Sequence, residues 1–151
     1  MLPTTPLEFD EFGNLPAGDW PVTRTQLLDR FCSGTPERQR LRPFVAGLLE
    51  LAGQFGATSV IFGGSFISPK PDPADVDFLI VFFRPIPRSE TVTINAAIRA
   101  LAERTRVPCH YNLISRAYGV EYRRVHRVFL CYDRQARPRG RLEVLLNDVE
   151  E

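Results

Sequence analysis

Two apolar runs in the middle of the chain, and the segment that joins them, constrain the fold more than any other stretch. Residues 58–62 are rich in β-formers and end at Gly63 and Gly64. They read as a buried strand running into a tight turn. Residues 76–83 form the longest apolar stretch, broken only by Asp77, and read as a second strand. Between them, residues 68–74 alternate Pro69, Pro71 and Pro73 with other residues. Each proline fixes φ and removes a donor, so this segment is expected to be a stiff loop. Asp75 and Asp77 stand two apart at the entry to the second strand, so their side chains share one face. Two carboxylates that close repel each other. A hard cation is the usual remedy, and magnesium takes one or two carboxylates together with substrate phosphates.

The bulk properties bound the rest. At 151 residues the chain is one domain of ordinary size, able to bury a core without staples. A formal net charge of +1 excludes a global polycation that binds nucleic acid by charge alone. Of 19 Lys and Arg residues, only Lys70 is lysine, and it lies inside the candidate site. A compact ammonium suits a phosphate, although chance also explains a single lysine at that position. Cys32, Cys109 and Cys131 are odd in number and show no C-x-x-C spacing, which argues against a disulfide framework or a zinc site and fits a reducing cytoplasm. No signal-peptide pattern is visible at the start, and no apolar run is long enough to cross a bilayer. A cytoplasmic location without membrane contact is therefore expected.

Residues 1–22 carry Pro3, Pro6, Pro16 and Pro21 together with Gly13 and Gly18. So many breakers predict an extended N-terminal arm with a turn at Gly13 and Asn14. Residues 23–151 are expected to form the domain. Thr23 or Thr25 is set to cap a short helix over 26–31. Gly34 breaks it, and Thr35 before Pro36 suits an N-cap followed by proline at the first helical position. The next helix should run to about residue 54, with Leu41, Phe44, Val45, Leu48, Leu49 and Leu51 as its apolar stripe and Gly56 as its stop. Ser89 is a candidate cap for a helix over 90–104 with Val92, Ala96, Ile98 and Leu101 inward. A third strand is expected over 107–113, a helix over 120–130 and a last strand over 141–146. The fold class is α/β (α+β), a strand–turn–strand core with flanking helices.

The joining segment carries the candidate chemistry. Gly63 and Gly64 let the backbone approach a phosphate chain, because no Cβ intervenes. Ser65 adds a hydroxyl and an N–H, and successive N–H groups form an anion-binding concavity. Asp75 and Asp77 are the candidate metal ligands and catalytic residues, and Lys70 is a candidate phosphate contact. Each element alone also has a structural use: Gly-Gly-Ser is a common turn, and an Asp-x-Asp pair caps turns or pairs with arginine.

Gly64-Ser65, then Asp75-Val76-Asp77 leading into an apolar strand, resembles the signature of the DNA polymerase β-like nucleotidyltransferase superfamily. Lys70-Pro71 and Asp72-Pro73 lie between these elements. Phe9-Asp10-Glu11-Phe12-Gly13-Asn14-Leu15-Pro16 precedes them, and Tyr132-Asp133-Arg134 through Pro138-Arg139-Gly140 follows. With these stretches the chain is similar to a small branch of minimal nucleotidyltransferase-like proteins. The resemblance implies a small mixed sheet with helices packed against it. It also implies magnesium-dependent transfer of a nucleoside monophosphate from a nucleoside triphosphate to a protein or nucleic-acid hydroxyl, with release of pyrophosphate.

The resemblance further implies a third carboxylate on a later strand. The corresponding region, residues 107–113, contains no Asp or Glu and offers His110 and Asn112 on one face. His110 is either a base near neutral pH or a structural histidine; Asp72, Glu121 and Asp133 are alternative acids. A chain without the third acid is also compatible with a catalytically degenerate binding module, such as an antitoxin or phage-defence partner. The last third crowds Arg116, Arg123, Arg124, Arg127, Arg134, Arg137, Arg139 and Arg141 among Tyr118, Tyr122, Phe129 and Tyr132. Arginine with aromatics suits an RNA or nucleotide surface, an acidic partner protein or a solvated helix face. Glu121 and Glu143 dilute the charge and favour the last.

Overall fold

A computed structural model describes residues 7–146, which form a mixed α+β domain; residues 1–6 of the expected arm and 147–151 of the expected domain lie outside the described residues. The elements run β1 (Asp19–Pro21), α1 (Arg24–Phe31), α2 (Pro36–Gln54), β2 (Ser59–Gly63), β3 (Val76–Phe82), α3 (Arg88–Thr105), β4 (Cys109–Ser115), α4 (Gly119–Val128) and β5 (Arg141–Leu145). Short 3-10 turns occupy Gly64–Ile67 and Arg116–Tyr118. The sheet order is β1-β5-β2-β3-β4. The outer pairs β1–β5 and β3–β4 are parallel, and the inner pairs β5–β2 and β2–β3 antiparallel.

Local chemistry sets the helix ends. Thr23 and Gln26 close a capping box at the start of α1. Thr35 caps α2, accepting from the Arg38 N–H with Pro36 at the first position. Gly56, at φ +82°, takes the left-handed conformation that ends α2. The expected Ser89 cap is replaced by Pro87, and α3 starts two residues earlier, at Arg88. Ile94, Ile98 and Leu101 form its buried stripe; Val92 (61% exposed) and Ala96 face solvent. Of the expected inward set, Ile98 and Leu101 are buried, whereas Val92 and Ala96 are out of phase, each two residues from Ile94 and so nearly on the opposite side of the helix.

One face of the sheet is covered by α1, α2 and α3. Phe62, Phe78, Ile80, Phe82, Leu142 and Val144 point into this main core with Phe44, Leu48 and Phe66. The other face carries a smaller cluster of Ile61, Leu79, Val81 and Ile114, against which Tyr122, Val125 and Phe129 of the α4 region pack. β3 is therefore apolar on both faces until Asp77. The arm is less free of regular structure than its composition suggests. Leu15 is buried in the main core, and β1 pairs in parallel with β5 at the sheet edge. Pro21 is tolerated there because an edge strand can spare a donor. Asp19 fastens this edge by accepting from Arg141 Nε (2.7 Å) and Nη2 (3.0 Å), with His126 Nε2 at 3.2 Å. Burial raises the Asp19 pKa, but the hydrogen bonds from His126 and Arg141 outweigh it and hold it at about 2. No helix among the described residues is long and apolar enough to cross a membrane.

Candidate functional site

The site forms where β2 ends and β3 and β4 begin. The sheet register sets Gly63, Asp77 and His110 side by side across three strands. Asp75, one residue before β3, reaches the same spot. His110 Nδ1 lies 3.2 Å from Asp75 Oδ2 and 3.3 Å from Asp77 Oδ1. One ligand atom from each of the three lies within 4.8 Å of the others, a spacing that a single metal ion can bridge. Burial raises the Asp77 pKa, and the charge on Asp75 raises it further; His110 and Arg139 oppose the shift without cancelling it. A divalent cation would relieve this repulsion, so the residues present fit a metal. The histidine is 72% exposed, which excludes a satisfied core histidine.

The turn after β2 closes over this cluster. Gly64 has φ +70°, and a Cβ there would come within 2.5 Å of Asp77 Oδ2. Only glycine allows the turn to pack on that carboxylate. Gly63 is constrained by something else. A Cβ on it would lie 2.6 Å from Leu130 Cβ, and Gly63 does not line the cleft, so packing rather than phosphate approach accounts for it.

A feature that sequence reasoning missed supports the turn from below. Arg38, only 6% exposed, projects from α2 and spends its donors on backbone carbonyls. Its Nη1 donates to Phe31 O and Phe66 O, its Nη2 to Ser68 O and Lys70 O, and its Nε to Lys70 O, at 2.7–2.9 Å. Thr35 Oγ1 adds a bond to Pro71 O at 2.6 Å. The stiff loop is thereby tied to the first turn of α2. The available signal was position: Arg38 falls three residues before Leu41, on the buried stripe of the helix.

The opposite wall of the cleft comes from the two ends of the chain. Asn14 Nδ2 donates to Asp133 Oδ2 (2.9 Å), and Arg139 Nε donates to Asn14 Oδ1 (3.0 Å). Arg137 Nε donates to Asp133 Oδ2 (2.7 Å), and its guanidinium lies 3.8 Å over the Phe12 ring. Gly140 is a necessity of this junction, since a Cβ there would lie 1.9 Å from Pro16 O. The Asn14 hydrogen bond, with those from Arg137 and Gln135, pulls the Asp133 carboxyl far below the usual range. The two flanking stretches of the sequence thus join in space.

Between the walls lies a cleft of about 540 Å3 lined by Gly64, Ser65, Lys70, Asp75, Asp77 and the side chains of Phe12, Arg134, Arg137 and Arg139, among others. Asp75 and Asp77 lie on one side and Arg134, Arg137 and Arg139 on the other, so the charge of the cleft is divided. A somewhat larger groove of about 630 Å3 lies along β5 and α2, where Arg24 and Glu50 are the only charged residues among the described residues that line it. Chemistry, rather than size, selects the first. Of the other expected residues, Asn112 shares the face of His110 but lines a separate groove with Tyr118 and Glu121. It sits one strand repeat further along, opposite Leu79. Asp72 is exposed on the loop, and Asp133 is consumed by the far wall, so neither supplies a third carboxylate beside Asp75 and Asp77. No curated protein and no solved structure matches the chain. The family model that does match is that of a family of unknown function, DUF6932, over residues 7–145, and the chain belongs to that family.

Proposed function

We propose that this protein is a nucleotidyltransferase-type enzyme that moves a nucleoside monophosphate from a nucleoside triphosphate to a protein or nucleic-acid hydroxyl. The observation that carries the reading is the convergence of Asp75, Asp77, Gly64, Ser65 and Lys70 on one cleft, with Arg134, Arg137 and Arg139 facing them. Asp75 and Asp77 would hold the metal, Mg2+ in this reading, which when bound offsets charge on the phosphates and orients the attacking group. Ser65 and the Gly64 turn hold the phosphate chain by N–H and hydroxyl donors. Lys70, Arg134 and Arg139 take the charge of the departing pyrophosphate. The acceptor hydroxyl gives up its proton to solvent as its oxygen bonds to the α-phosphorus, the α–β bridging P–O bond breaks, and pyrophosphate leaves. The three free cysteines fit a cytoplasmic setting.

One observation favours a second reading. The metal cluster contains two carboxylates and a histidine, and no third acid joins them among the described residues. A degenerate domain that binds a protein partner, such as an antitoxin or phage-defence component, would tolerate that loss. Incubation with an α-labelled nucleoside triphosphate, Mg2+ and candidate acceptors separates the two. The transferase incorporates label, and Asp77→Asn abolishes incorporation; no label on any acceptor, together with an intact protein complex in pull-downs, supports the binding module.

A further inference from the structure

The three donors of the cluster are not chemically alike. Two are carboxylate oxygens, and the third is an imidazole nitrogen. Mg2+ is a hard ion that takes oxygen and keeps several waters. First-row transition dications accept imidazole readily, and their affinity for nitrogen donors rises from Mn2+ onward. The geometry permits coordination by the ring, whose Nδ1 stands within hydrogen-bond distance of Asp77 Oδ1 in the metal-free site. Donors bound at right angles to one ion at about 2.1 Å lie about 3.0 Å apart. His110 Nδ1 is 3.2 Å from one carboxylate oxygen and 3.3 Å from the other, close to that spacing. The ring is largely exposed and is not wedged there by the core. Its place is set instead by the β3–β4 register, which sets His110 directly beside Asp77.

We infer that His110 is a metal ligand through Nδ1, and that this centre selects Mn2+ and the later first-row dications over Mg2+. The inference deepens the proposed function. It rests on that reading's metal centre and not on the transfer step.

The test uses the full chain without nucleotide. Mn2+ and Mg2+ are titrated into the wild type, His110→Ala and His110→Glu, with free Mn2+ read by electron paramagnetic resonance and folding checked by circular dichroism. The wild type is expected to bind Mn2+ more tightly than Mg2+. His110→Ala is expected to lose about 10- to 100-fold in Mn2+ affinity, the scale on which metal sites respond to loss of a supporting group, while Mg2+ affinity holds. His110→Glu keeps a metal and reverses the preference toward Mg2+. The pulsed spectrum of wild-type Mn2+ carries imidazole nitrogen modulation that both variants lack. Unchanged Mn2+ affinity in His110→Ala, nitrogen modulation that survives it, equal loss of both ions, or a wild type that binds no Mn2+ each overturns the inference. None of these readouts involves nucleotide. A wild type that binds Mn2+ as expected but neither binds triphosphate nor transfers label would count against the transfer reading alone.

Discussion

The two walls of the cleft are built on opposite principles. The acidic wall is local: Gly64, Ser65, Asp75 and Asp77 lie within one short segment, and His110 meets the acid pair from the neighbouring strand. The basic wall is assembled from residues more than a hundred positions apart, with Asn14 bonded to Asp133 and Arg139. Their electrostatics differ as well. Asp133 is satisfied, its carboxyl drawn down by Asn14, Arg137 and Gln135. Asp77 is frustrated, its carboxyl pushed up by burial and by Asp75. A satisfied carboxylate is a fastener. A frustrated one, in a cleft and beside a second acid, is a candidate cation site.

The largest expected effect comes from removing the support of the acidic wall. Arg38→Ala orphans the carbonyls of Phe31, Phe66, Ser68 and Lys70 and should cost about 3–4 kcal/mol, read by chemical denaturation. A loss under about 1 kcal/mol would mean the loop holds itself. Next is the fastener of the basic wall. Asn14→Ala strips a partner from both Asp133 and Arg139 and should cost about 2 kcal/mol. The acid range sharpens the contrast at the sheet edge. The folded pKa of Asp19, about 2, lies below the unfolded value. Its contribution, about 2 kcal/mol, is therefore complete above about pH 5 and is lost as pH falls toward 2. Asp19→Asn should flatten that part of the stability–pH curve.

The smallest effect has the opposite sign. The raised pKa of Asp77 means that its ionised form opposes folding, so its protonated form favours stability at acid pH and this advantage disappears as pH rises through the shifted value. Asp77→Asn should therefore stabilise the metal-free protein near neutral pH, by about 0.5–2 kcal/mol, while removing function. Destabilisation by this substitution would mean that Asp77 is structural after all.

The difference between the walls also explains what was legible in the sequence. β2, β3 and α2 follow from short-range periodicity, and the shared face of Asp75 and Asp77 follows from strand geometry. β1 has three residues, one of them Pro21, and exists because β5 lies beside it. No local pattern announces such a pairing. The contact of Asn14 with Asp133 is likewise a property of the closed fold, although both residues stood in stretches noted for their resemblance to other chains. Gly63 and Gly64 look identical in sequence, but their neighbours, Leu130 and Asp77, assign them different tasks. His110 and Asn112 share a face by parity, yet only the first reaches Asp75 and Asp77, while the second lies opposite Leu79 and lines another groove.

In the proposed function, the Asp75–Asp77 pair and the Gly64–Ser65 turn hold a metal–triphosphate together. Calorimetric titration of a non-hydrolysable nucleoside triphosphate with divalent metal into the wild type and Asp77→Asn tests it directly. Saturable, metal-dependent binding by the wild type and a loss of affinity of about tenfold or more in the folded variant are expected. Equal binding by the two proteins, or no binding by the wild type, would contradict it.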